Sequence, residues 1–120
     1  MAGRVNGIHH IALSVPDLDK ARDFYVGVLG FEEDRRGEWS KGSAIVDRVM
    51  GLEGSSGRSM LVKAGNIHLE FFEFAAPVPP PQDPDRPVSH YGYTHMALDV
   101  TDIEAVHARL AAAGMRFHAP

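Results

Sequence analysis

The chain has 120 residues, 44% hydrophobic and 23% charged, with 12 basic residues against 16 acidic ones and no cysteine. This is single-domain length with ordinary globular composition. The small net charge argues against disorder and against a basic nucleic-acid surface, and the missing cysteine excludes disulfide scaffolds, zinc fingers and thiol catalysis. No apolar run approaches the roughly 20 residues of a membrane span and no segment reads as a secretory signal. The expectation is a soluble, cytoplasmic protein that engages neither nucleic acid nor membrane. Seven histidines are the unusual feature.

In chain order, the mostly apolar segment Gly7–Val15 predicts a strand covered on both faces. Asp17 then caps a helix whose stripe Ala21, Phe24, Tyr25, Val28 has the spacing of a buried face, and Gly30 supplies a left-handed stop. Phe31–Glu38 predicts a second strand. Gly42–Gly57 is a polar, glycine-rich excursion with one helical turn at Ala44–Met50. Arg58–Lys63 and Ile67–Phe74 predict two strands joined through Ala64-Gly65-Asn66 as a tight hairpin. Ala75–Pro87 holds six of the eight prolines. Proline lacks the N–H that a central strand or helix must donate, so this stretch predicts a stiff connector, with a P-x-x-P ligand as the alternative. Tyr91–Val100 predicts another strand. Thr101-Asp-Ile-Glu104 predicts a capping box, followed by a helix with Ile103, Val106 and Leu110 buried and Gly114 at its end.

The two strand–helix units are copies of one another. His10-Ile-Ala-Leu-Ser-Val-Pro-Asp17 and His95-Met-Ala-Leu-Asp-Val-Thr-Asp102 agree at five of eight positions, histidine and aspartate included. The organisation is therefore α+β, with a first βαβββ module at 1–75, a proline-rich linker at 76–88, and the N-terminal part of a second module at 89–120. By the repeat, the second module is incomplete as the sequence stands.

Side-chain alternation sorts the histidines, because successive strand residues face opposite ways. His9, Ile11, Leu13 and Val15 fall on the helix side, and Ile8, His10, Ala12 and Ser14 on the other. In the repeat, Tyr93, His95, Ala97 and Asp99 take that same face. On the hairpin strand, His68, Glu70, Phe72 and Phe74 oppose Leu69 and Phe71. If the faces converge, His10, His95 and Glu70 meet across a cavity. Two imidazoles and a carboxylate suit zinc, nickel, iron, manganese or cobalt. The rival expectation is that each histidine is a polar residue beside core packing. His90, His107 and His118 read as surface or loop residues.

Gly7-Ile-His-His10-Ile-Ala-Leu-Ser-Val-Pro-Asp17-Leu18, with Phe24-Tyr25 and Leu29-Gly30-Phe31, resembles the vicinal oxygen chelate superfamily, and Gly92-Tyr-Thr-His95-Met-Ala-Leu-Asp-Val100 resembles its second-module signature. That group includes glyoxalase I, methylmalonyl-CoA epimerase, extradiol dioxygenases, and fosfomycin- and bleomycin-resistance proteins. The resemblance implies paired βαβββ modules forming an open, curved-sheet cleft around one divalent metal. His10, Glu70 and His95 fall on the first three ligand positions, and no residue here matches the usual final glutamate. It implies a homodimer as the frequent assembly. It also favours the glyoxalase and epimerase branch, where a glutamate or glutamine occupies the position of Glu70.

Dioxygenases and fosfomycin-resistance proteins do not need that carboxylate, and bleomycin binders lack the ligands. Ser14 and Phe74 stand where a bacterial-type glyoxalase I places its polar glutathione anchors, so glutathione is not expected. Ile8, Ala12, Ser14, Phe72, Phe74 and Tyr93 are expected to line a fairly apolar small-molecule site. The implied activity is a metal-dependent lyase or isomerase that abstracts a proton beside a carbonyl, with Glu70 as candidate base. An iron(II) ring-cleaving dioxygenase and a metal-independent binder of a hydrophobic ligand or antibiotic are the alternatives.

Overall fold

The structure is a computed structural model that describes residues 2–119. The backbone divides into two compact units, Met1–Pro80 and Pro81–Pro120. The fold is α+β. The first unit holds β1 (His10–Ser14), α1 (Leu18–Arg22), β2 (Glu32–Trp39), α2 (Ala44–Met50), β3 (Ser56–Lys63) and β4 (His68–Ala76). Its open four-stranded sheet has the order β1-β4-β3-β2. The first and last strands in sequence thus pair, in parallel, while the other contacts are antiparallel.

Asp17 begins α1 as expected, its carboxylate accepting from the Lys20 amide at 3.0 Å. From Asp23 to Val28 the helix widens into π geometry, and Gly30 turns the chain out with φ 81°. This carries the Tyr25 ring onto Phe71, with centroids 4.5 Å apart. Leu18, Ala21, Met60, Val62, Leu69 and Phe71 form the core on that side. The sheet alternation therefore follows the predicted parity: Leu69 and Phe71 face the helix, and Glu70 and Phe72 face away. Fully burying Phe71 contributes on the order of 2–3 kcal/mol. The hairpin closes through the Ala64 amide on the Ile67 carbonyl at 2.8 Å, with Gly65 at φ 76°.

The start of β1 differs from expectation. β1 starts at His10 rather than Gly7, because pairing with β4 begins at His10 opposite His68. His9 therefore precedes the paired strand and escapes its alternation. Instead of facing the helix, its ring stacks on His68 with centroids 5.0 Å apart.

The second unit contains α3 (Ile103–Ala112). The strand expected over Tyr91–Val100 is absent from the described residues. A strand is defined by pairing, and this segment has no laddered neighbour. The helix cap also shifts by one residue: Asp102, not Thr101, accepts from the Ala105 amide at 3.2 Å. Asp102 does so from a left-handed backbone with φ 59°, which aspartate tolerates better than β-branched threonine. Gly114 follows at φ 87°, as a helix stop should. Among the described residues, no helix is long and apolar enough to cross a membrane.

Candidate functional site

The parallel register of β1 and β4 sets Ala12 beside Glu70 and Ser14 beside Phe72. Paired residues share a face, so His10, Ala12 and Ser14 lie on one side of the sheet with His68, Glu70, Phe72 and Phe74. Within that surface His10 Nε2 lies 3.2 Å from Glu70 Oε2, with the side chains 43% and 26% exposed. The pair is thus half-solvated and open to a ligand. Behind it, His9 Nδ1 lies 2.9 Å from His10 Nδ1.

An aromatic group continues the same face. Trp39 meets Phe72 and Phe74 edge-on, with centroids at 6.1 and 5.5 Å. Phe72 and Phe74 lie 5.9 Å apart. The indole is anchored from behind: Trp39 Nε1 donates to Ser55 Oγ at 3.0 Å, and the buried Ser55 hydroxyl donates to the Asp47 carboxylate. The Ser55 and Gly54 amides also donate to Asp47, at 3.0 and 2.9 Å. The Ser55 hydroxyl foremost, then these amides, hold the Asp47 carboxyl below the usual carboxylate range. Trp39, Ser55 and Asp47 were not marked by the sequence patterns. Trp39 and Ser55 lie 16 residues apart across a fold-back through α2, and the single tryptophan is the one signal the sequence offers.

On the helix side, Glu73 Oε2 accepts the Leu18 amide at 2.7 Å. Its two oxygens accept from Arg58 at 2.9 to 3.2 Å. The arginine first, and the amide second, lower the Glu73 pKa.

The remaining expected site residues are less tightly placed. Ile8 is 71% exposed and lies ahead of β1. Tyr93 and His95 belong to the second unit. There Arg86 donates to the Tyr91 carbonyl at 3.1 Å and to the Tyr93 carbonyl. The His95 Nδ1 atom lies 3.0 Å from Thr94 Oγ1, and its ring is exposed.

An imidazole nitrogen and a carboxylate oxygen at this separation suit a divalent cation in donor type. Among the described residues, no group of three or more His, Cys, Asp or Glu is placed to hold one. His10 and Glu70 are thus a pair of donor side chains 3.2 Å apart.

Comparison with known proteins agrees with this fold. The chain is 34% identical over 105 residues to a 2-epi-5-epi-valiolone epimerase from Actinomyces sp, covering 82% of this chain and 54% of the relative. It thus spans about half the length of that curated relative. A glyoxalase family protein from Bacillus cereus superposes with a TM-score of 0.82 at 22% identity, covering 93% of this chain and 74% of the other. A Glu-to-Gln variant of the fosfomycin resistance protein FosX from Listeria monocytogenes, complexed with Mn(II) and 1S,2S-dihydroxypropylphosphonic acid, gives 0.57 at 18% identity, covering 94% and 73%. With the family model matching residues 7–120, the chain belongs to the Glyoxalase/Bleomycin resistance protein/Dioxygenase superfamily.

Proposed function

We propose that this chain forms part of an isomerase or lyase that removes a proton beside a carbonyl on a compact small molecule, with His10 and Glu70 supplying two of the ligands of a divalent cation. The observation that carries the proposal is the 3.2 Å approach of Glu70 to His10 on a half-open sheet face. The 34% identity to a protein named as an epimerase supports an isomerase-type reaction. The Mn(II) complex of a fold relative supports the cation.

When bound, the cation would act as a Lewis acid on a substrate oxygen, stabilising negative charge as the neighbouring C–H is broken. Glu70 is the candidate base for that proton. Its 26% exposure leaves an approach from solvent, and His10 beside it fixes one oxygen while the other remains available. Ala12 opposite Glu70 presents only a methyl group, leaving room above the strand. Trp39, Phe72 and Phe74 would cover an apolar substrate face and exclude water from the reacting carbon. Ser14 and Phe74 offer no charged partner for a glutathione carboxylate.

The deciding experiment is solvent-deuterium exchange into the small carbonyl substrate that the protein turns over, comparing wild type with Glu70→Gln. Wild-type exchange should be lost in the variant. Equal exchange in both would remove Glu70 as the base.

A further inference from the structure

His10 is approached at both ring nitrogens: its Nδ1 lies 2.9 Å from His9 Nδ1, and its Nε2 lies 3.2 Å from Glu70 Oε2. We propose that His9 is a positioning residue for His10, one whose imidazole supports His10 both in the empty site and in the cation-bound site. This rests on the reading of His10 as a cation ligand.

A neutral imidazole carries one ring proton, so a contact between two Nδ1 atoms is a hydrogen bond only when one of them carries it. Two arrangements satisfy that condition. In the first, His9 Nδ1–H donates to His10 Nδ1, and His10 directs its Nε2–H at Glu70. In the second, His10 Nδ1–H donates to His9 Nδ1, and His10 Nε2 presents the bare lone pair that a cation requires. Each ring keeps one proton throughout; only the tautomers exchange.

A carboxylate or carbonyl in the place of His9 would accept in the second arrangement but could not donate in the first. An imidazole serves both. Partners behind a ligating histidine fix its tautomer and ring orientation, and here that partner is itself fixed. The His9 ring stacks on His68 at an interplanar angle of 5°, and stands perpendicular to the His10 ring. The backbone supports this arrangement, since the His68 amide donates to the His9 carbonyl at 3.1 Å. The start of β1 at His10 lets two consecutive histidines meet on one side.

The test uses ¹⁵N-histidine-labelled protein, NMR of the imidazole nitrogens, and zinc titration. Without zinc, His10 should be the Nε2–H tautomer and His9 the Nδ1–H tautomer; zinc should reverse both. His9→Phe, which keeps a ring to stack on His68 but has no nitrogen, should mix the His10 tautomers in the zinc-free protein. It should also weaken zinc binding about 10-fold, the lower end for such supporting residues. His9→Asn can donate or accept near the Nδ1 position and should recover most of the loss. Unchanged His10 tautomers and zinc affinity in His9→Phe would overturn the proposal. His10→Ala separates the two claims. If it binds zinc like wild type, the ligand reading fails, and the zinc-free tautomers of His10 in wild type and His9→Phe still decide the role of His9.

Discussion

Glu70 and Glu73 stand three residues apart on β4 and face opposite sides of the sheet. Glu70 meets His10 at 3.2 Å on the open side, whereas Glu73 takes the Leu18 amide at 2.7 Å on the helix side. One strand thus carries a carboxylate suited to ligand chemistry and another that ties down the start of α1.

That division predicts a pH signature for Glu73. Arg58 and the Leu18 amide lower its folded-state pKa below the ordinary 4.5. A depressed carboxylate pKa stabilises the fold above the unfolded value, and the contribution is lost as pH falls below 4.5 through the folded value. Glu73→Gln should therefore lower the thermal midpoint at neutral pH. The gap from wild type should close as pH falls below 4.5, as followed by circular dichroism.

Glu70→Gln should behave differently. The side chain keeps an oxygen donor and nearly the same volume, so cation binding should survive in weakened form. Proton-transfer activity should fall by roughly 10²–10⁴-fold, the contribution of a general base. Isothermal titration with Mn(II), alongside turnover, reads the two effects separately.

Phe71 is fully buried under Tyr25 and is the largest core side chain. Phe71→Ala should cost about 3–5 kcal/mol, through lost burial and the cavity left behind. Urea unfolding measures this directly.

Glutathione conjugates should not be turned over at the rate of a dedicated glyoxalase I. Ser14 and Phe74 lie on the His10 and Glu70 face without a cationic or amide anchor. Assay of the hemithioacetal of glutathione and methylglyoxal checks the point.

The parts of this arrangement that depend on local periodicity were legible in the sequence. The alternation of Leu69 and Phe71 against Glu70, Phe72 and Phe74 follows from a strand period of two, and the Asp17 cap and Gly30 stop are short-range signals. His9 was misplaced because parity holds only where a strand is paired, and that limit is set by the partner strand. The Tyr91–Val100 pattern has the right residues for a strand but no laddered neighbour among the described residues. The support of Trp39 by Ser55 and Asp47 depends on a fold-back through α2 that has no periodic mark.

The central claim is that His10 and Glu70 are ligands of one divalent cation. Its most direct test is equilibrium binding of Co(II), followed by visible absorption, for wild type, His10→Ala and Glu70→Ala. The account predicts on the order of one ion per complete site in wild type, and severe loss of affinity in both variants. Undiminished Co(II) binding in either variant would contradict it.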